Sequence, residues 1–318
     1  MRVVTGAELR SVLHQRMLME RLRQAFRGGV DLGEPSRFRI DARTTHDADL
    51  RVEPVWSSGR SIGVRIAGSF PDNAAKDLPT AQGVFVLMDG KTGVPRAAID
   101  GPALARRRAA VASVLAATYL ARADASRLLV VGAGPLAVEV IEAYTAILPI
   151  KHVLVWARRA ERAKKLVGRF HRPKFKLEAT EDLEGAVRGA QIISCATAAH
   201  KAIIKGEWLT EGAHLDLLGG VAPDMREADD ECFRRARVFV DTRSAACREA
   251  GDIAQPAASG ALNLDDIAGD LFELTRGERA GRRFYDQITL FKAVGTPLED
   301  LTAAEIAIDM AIHNETIR

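Results

Sequence analysis

The chain has 318 residues, 47% of them hydrophobic and 27% charged, with a formal net charge of +3. That is a globular composition with room for two domains of ordinary size, and the charge is too slight to argue for a nucleic-acid or membrane-surface partner. No apolar run approaches the length of a membrane span, and the N-terminus lacks the apolar core of a secretion signal. Cys195, Cys232 and Cys247 show neither a disulfide framework nor zinc-ligand spacing, and the seven histidines form no H-E-x-x-H pattern. No metal is expected, and a soluble enzyme of a reducing, cytoplasmic compartment fits best.

Thr5 opens the first helix: Thr5 and Glu8 have capping-box spacing, and Leu9, Val12, Leu13 and Met17 supply an apolar face. A second helix is expected from Leu18 to Phe26, ending at Gly28-Gly29. From Pro35 to Asp100 the texture changes to short alternating runs broken by turn residues. Strands are expected at Phe38 to Ile40, Leu50 to Val52, Ser61 to Ile66, Gly83 to Met88 and Arg96 to Ile99. Asp89 to Gly93 reads as the hairpin turn between the last two. An antiparallel sheet with helices at its ends follows from this. An Ala-rich helix is then expected from Ala103 to Ala123, beginning with Arg106, Arg107 and Arg108.

Leu128 to Val131 is a β-branched apolar run, and Gly132, Gly134 and Ala137 follow it in the spacing G-x-G-x-x-A, with an amphipathic helix to Leu148. Strand, turn and helix in that phase make a dinucleotide fingerprint. Gly132 permits the tight turn, Gly134 lets the backbone approach a pyrophosphate, and Ala137 lets the helix sit close on the strand. Ala133, Pro135 and Leu136 complete the loop, whose N–H groups face the phosphates. Strands at His152 to Trp156, Phe175 to Ala179, Ile192 to Ala196, Leu215 to Leu218 and Val238 to Asp241 are interspersed with three expected helices. These run from Ala160 to Phe170, Leu183 to Gly189 and Glu227 to Ala236. The fold class is therefore α/β, a Rossmann-type doubly wound parallel sheet, preceded by a smaller α+β domain. Leu264 to Thr275 is expected as helix, Ile288 to Val294 as strand and Leu298 to His313 as helix.

The end of the second sheet strand selects the dinucleotide, because NAD sites place a carboxylate there for the ribose 2′-OH. The chain has Ala157, Arg158 and Arg159 instead, which suits the 2′-phosphate of NADP better than NAD. From Arg158 to Lys176 there are nine Lys/Arg against Glu161 alone, yet without a matching binding motif the run does not read as a nucleic-acid surface.

The stretch from Asp77 to Arg96, DLPTAQGVFVLMDGKTGVPR, is followed by Arg108-Ala-Ala, by Tyr119-Leu-Ala-Arg-Ala-Asp124 and by Gly132-Ala-Gly134. As an ordered set these resemble the ornithine cyclodeaminase/mu-crystallin family. Further matches are Phe70-Pro-Asp-Asn73, Cys195-Ala-Thr-Ala198, Ile288-Thr-Leu-Phe-Lys-Ala-Val-Gly295 and Leu298-Glu-Asp300. The resemblance implies a substrate-binding and dimerisation domain over 1–122, to which 296–318 returns, and a dinucleotide domain over 123–295. It also implies a homodimer, and cofactor contacts at Ala196, Thr197 and Gly219. Arg108 matches the family arginine that binds the substrate carboxylate, and Arg37, or else Arg39, matches the second.

Two departures bear on chemistry. Where the family has Gly-Val-Lys the chain has Gly63-Val64-Arg65, and where a catalytic aspartate follows Gly-Gly the chain has Val221, with Asp224 further along the loop. Lysine can shuttle a proton, whereas arginine stays charged and can only bind and polarise. Asp224 and Glu53 are the carboxylates open to the missing role. Arg65, Arg108 and Asp224 are thus the candidate catalytic residues, and Arg37, Arg65 and Arg108 the candidate substrate binders. The expected function is an NAD(P)-dependent oxidoreductase that reduces an imine, or oxidises an amino acid, at the α-carbon. The alternatives are an ornithine or lysine cyclodeaminase and a non-enzymatic NADP-binding protein. His200 and His214, near expected strand ends, read as structural.

Overall fold

A computed structural model describes residues 1–316, so Ile317 and Arg318, the end of the expected tail, lie outside the described residues. The chain divides into two compact units, Met1–Arg108 with the segment from Pro297 on, and Ala109–Thr296.

The first unit begins with β1 (Arg2–Val4), α1 (Gly6–Val12), α2 (Gln15–Gly28), β2 (Asp31–Leu32), β3 (Ser36–Ile40), β4 (Ala48–Ser57) and β5 (Ser61–Ser69). A 3-10 turn at Pro71–Lys76 leads to β6 (Ala81–Asp89), β7 (Pro95–Asp100) and α3 (Gly101–Leu120), inside which the division falls. Thr5 caps α1 as its spacing predicts, its side chain accepting from the Glu8 N–H. Gly29, at φ 76°, stops α2. The sheet runs β1-β7-β6-β5-β4-β2, with β3 also on β4. All its pairs are antiparallel except β1 on β7. β1 and β2 were not expected: runs that short carry no periodicity. In the β6–β7 turn the Asp89 carboxylate accepts from the N–H groups of Lys91 and Thr92, and Gly93 takes φ 71°.

The second unit opens with β8 (Arg127–Val131), α4 (Pro135–Ile147), β9 (His152–Trp156), α5 (Ala160–Val167), β10 (Lys176–Thr180), α6 (Leu183–Gly189), β11 (Ile192–Cys195) and β12 (His214–Leu217). It continues with α7 (Asp230–Arg235), β13 (Arg237–Val240), α8 (Arg243–Glu249), α9 (Gly251–Ala258), β14 (Gly269–Asp270), α10 (Leu271–Arg276) and β15 (Thr289–Lys292). Every pair in its sheet is parallel, in the order β10-β9-β8-β11-β12-β15-β13-β14. Leu128 to Val131 are at most 1% exposed, as helices on both faces of a parallel sheet require.

Two expectations are corrected. The helix expected from Leu264 to Thr275 is broken: Gly269 and Asp270 pair with β13 as β14, and α10 begins only after Asp270, which forms a capping box with Glu273. The helix expected from Glu227 starts at Asp230 under an Asp229 cap, leaving Glu227 on the preceding loop. The helices α8 and α9 were not anticipated, being short, Ala-rich and weakly periodic.

The last element, α11 (Pro297–Thr316), lies in the first unit, against α2 and the face of β4, β5 and β6. Val55, Phe85 and Leu87 of that sheet are at most 1% exposed. Each such apolar side chain contributes about 1.5–3 kcal/mol.

Candidate cofactor and substrate site

A doubly wound sheet binds ligands beyond the C-terminal ends of its strands, where the strand order reverses. In the second unit that point lies between β8 and β11. Gly132 follows β8 there with φ 122°, and a Cβ on it would come 2.5 Å from the Ala196 carbonyl oxygen. Only glycine meets both conditions. Gly134 is the N-cap of α4, and a Cβ on it would meet nothing within 4 Å, so the loop is open to close backbone approach. Pro135 takes the first helical position, where its missing N–H costs nothing, and the other first-turn N–H groups aim the positive end of the helix outward. Ala137 is fully buried against the sheet, with Ala133 and Leu136 half-buried on the loop. These features fit a dinucleotide pyrophosphate.

On the neighbouring strand Trp156 ends β9 beside Val131. Ala157 is half-buried, whereas Arg158 and Arg159 are exposed on the turn into α5, Arg159 being the N-cap without a side-chain cap. Among the described residues neither arginine enters an ion pair. Two cations at a helix N-terminus are adverse until an anion joins them.

The loops after β11 and β12 carry a group that the sequence reading missed. Glu227 accepts from the N–H and hydroxyl of Thr197, each at 2.7 Å, and from the Gly219 N–H at 2.7 Å. Asp252 of α9 accepts from the Glu227 N–H at 2.7 Å. Lys292, at the end of β15, lies 3.3 Å from Asp252 and donates to the carbonyl oxygen of Gly219. Glu227, Asp252 and Lys292 are all 0% exposed. Burial pushes the Glu227 carboxyl up to about 7, with Lys292 opposing and Asp252 adding to the rise. The signal for this group was a lysine in an otherwise apolar parallel strand. Nearby, the Gly219-Gly220 pair has Cβ positions that would fall 2.1 Å from the Thr197 oxygen and 2.0 Å from Asp252.

In the first unit, Arg108 of α3 is buried. Its Nε donates to Asp300 and its Nη1 to Glu299, both at 2.9 Å on the first turn of α11. Burial acts to lower its pKa, but Asp300 and Glu299 together raise it, so Arg108 stays charged. Arg65 of β5 donates to Glu53 at 3.1 Å and reaches the second Asp300 oxygen at 3.9 Å. Two guanidinium groups thus flank one carboxylate. Arg65 is 30% exposed, against 5% for the Arg108 side chain. The register puts Arg37 and Arg39 of β3 on the same sheet face as Arg65, paired with Asp49 and Asp47 respectively.

Asp224 is 74% exposed and pairs with His200 at 3.1 Å, while Val221 beside it is exposed. His214 is buried at the start of β12, bonded to Thr289, and burial holds its pKa down to about 3. The cysteines are free, and among the described residues no group of His, Cys, Asp or Glu could hold a metal ion. No helix of the described residues is long and apolar enough to cross a membrane.

The sequence matches the model of the ornithine cyclodeaminase/mu-crystallin family over residues 1–315. A Delta(1)-pyrroline-2-carboxylate reductase of Paracoccus denitrificans is 41% identical over 258 residues, covering 80% of this chain and 82% of the relative. Among solved structures, the Thermococcus litoralis Delta(1)-pyrroline-2-carboxylate reductase in complex with NADH and L-proline superposes with a TM-score of 0.92 at 27% identity. That match covers 99% of this chain and 98% of the other. An archaeal alanine dehydrogenase dimer with bound NAD superposes with a TM-score of 0.89 at 26% identity, over 99% and 97% of the two chains.

Proposed function

Because the chain belongs to the ornithine cyclodeaminase/mu-crystallin family, we propose that it is an NAD(P)-dependent imine reductase acting at the α-carbon of an imino acid, and in reverse an amino-acid dehydrogenase. Arg65 is the observation that carries this reading. It is a partly exposed guanidinium whose only hydrogen bond among the described residues goes to Glu53. Such a group binds a carboxylate but cannot carry the successive proton transfers of cyclodeamination. An imine that arrives protonated needs no such shuttle. The Gly132–Leu136 loop would hold the pyrophosphate of a dinucleotide, whose nicotinamide would supply or accept the hydride.

Arg65 and Arg37 take the substrate carboxylate, and Arg108 fixes the Asp300 end of the group from behind. Holding that carboxylate fixes the orientation of the substrate, and orientation is where much of the rate of such a transfer arises. Ala196, Thr197 and Gly219 border the cofactor. Asp224, turned to solvent and to His200, has little support as a proton donor. The test is stoichiometric oxidation of reduced cofactor with cyclic imino acids, Δ1-pyrroline-2-carboxylate first. Ammonia released from ornithine or lysine with only catalytic cofactor would overturn the reading in favour of a cyclodeaminase. Cofactor binding with neither reaction would leave a binding protein.

The preferred cofactor in this reading is NADP(H), supported by Arg158 and Arg159, which enter no ion pair among the described residues, and by the lack of a carboxylate at the end of β9. The reading also includes a homodimer joined through the outer face of the antiparallel sheet. That face carries Val52, Trp56, Val64, Ile66, Val84 and Val86, all only half-buried, and its edge strand exposes Phe38 by 50% and Ile40 by 39%. A contiguous apolar face of this kind needs covering. Light scattering should give twice the chain mass, and Val64→Glu with Val86→Glu should give a monomer.

A further inference from the structure

We propose that Glu227, backed by Asp252 and Lys292, is the positioning residue that holds the two loops bordering the cofactor, and that the dinucleotide binds tightly only while its clamp is closed. This rests on the proposed function, in which Ala196, Thr197 and Gly219 line the cofactor.

The geometry is that of a clamp rather than of a core ion pair. One Glu227 oxygen holds Thr197 through both N–H and hydroxyl, and the other holds the Gly219 N–H. The loop after β11 and the loop after β12 therefore share one carboxyl group. Asp252 fixes the Glu227 backbone, and Lys292 takes the Gly219 carbonyl oxygen from the opposite side. Gly219 is thereby gripped at both its N–H and its carbonyl. The Gly132 turn packs on this assembly, since its Cβ position lies 2.5 Å from the Ala196 oxygen and 3.4 Å from the Thr197 methyl carbon. A loosened Thr197 loop frees the turn that receives the pyrophosphate.

A proton decides how well the clamp holds. As a carboxylate, Glu227 accepts at both oxygens; protonated, it carries a donor that competes with one of its three N–H and O–H partners. The groups facing it are Lys292 of β15, Asp252 of α9 and the thiol of Cys195 on β11, which burial keeps protonated. Asp216 of β12 is turned instead to Ser113, Ser194 and Tyr144. Three buried ionisable groups with one positive charge leave a surplus negative charge, so the cluster takes up a proton near neutrality.

The test is NADH affinity by fluorescence titration from pH 8 to pH 6. NADH serves because it lacks the 2′-phosphate, which titrates in the same range. The dissociation constant of the wild type should rise on the order of tenfold, with an inflection near pH 7. Glu227→Gln mimics the open clamp by placing an NH2 against one of the donors. Its affinity should match the low-pH wild type and stay flat across the range. In turnover it should raise the KM for cofactor about tenfold while leaving the KM for imine within about twofold. Asp224 and His200, an exposed pair on the two loops, are controls: His200→Ala should keep the inflection. A flat wild-type profile, a Glu227→Gln variant that tracks the wild type, or loss of the inflection in His200→Ala would each overturn the proposal. Should Glu227→Gln fail to fold, the wild-type and His200→Ala profiles still decide it. NADH binding with the inflection but no imine reduction would overturn the functional reading and leave the clamp standing.

Discussion

The two units each bury a charged cluster, and the two are built to different ends. Around Arg108 in the first unit, two arginines meet Glu53, Glu299 and Asp300, and one arginine, Arg65, keeps a partly exposed guanidinium. Around Lys292 in the second unit, every member is 0% exposed, and the hydrogen bonds run chiefly to loop backbone. Side chains binding side chains leave a donor over for a ligand. Side chains binding backbone set the shape of loops that a ligand then touches. The first cluster is suited to recognition and the second to preorganisation.

The comparison is broken most severely by Arg108→Ala, which strands Glu299 and Asp300 in the interior. Removing one partner of a buried pair costs about 3–5 kcal/mol, so urea unfolding should show a loss of that order, with imine reduction abolished. A midpoint close to the wild type would mean that α11 does not depend on this pair.

Lys292→Met tests the other cluster, and its effect should depend on pH. The folded-state pKa of Glu227 is raised, so the stability contributed by its proton is complete below the ordinary value of 4.5. It is lost as pH rises through about 7. Without Lys292 the carboxylates repel unopposed, so the variant should lose clearly more stability at pH 8 than at pH 5. Equal losses at both would show that the lysine serves only as packing. The wild type therefore shows opposed trends: over this range the Glu227 contribution to stability declines while cofactor affinity improves.

Smaller is the effect of Arg158→Glu with Arg159→Glu, which should weaken NADPH by about 10–100-fold, the worth of about one charge-assisted bond of about 1.5–3 kcal/mol. NADH should change little. Equal loss for both cofactors, by fluorescence titration, would remove the 2′-phosphate argument.

The mildest change is Arg65→Lys, which keeps the charge and loses the planar fork. The KM for imine should rise about 5–10-fold, with kcat within about threefold and no ammonia released from ornithine or lysine. An ammonia-releasing variant would show that the lysine alone supports cyclodeamination.

Sequence by itself determined the parallel alternation from Leu128 onward, the Gly132–Ala137 turn and the antiparallel hairpins, because each is a local pattern. A period of two, a glycine pair before a helix or an Asp-Gly turn is decided within a few residues. It also marked Arg65 and Arg108 as the residues to watch. Tertiary structure decided what surrounds them. That Asp300 lies between Arg65 and Arg108 depends on α11 returning across nearly the whole chain, and no spacing in the sequence encodes that return. Glu227, Asp252 and Lys292 meet because α9 and β15 converge on one loop, although successive members stand 25 and 40 positions apart in the chain (252 − 227 and 292 − 252). Read in sequence, each was an ordinary loop, helix or strand residue. Only burial together, where an unpaired charge is costly, makes them a single unit.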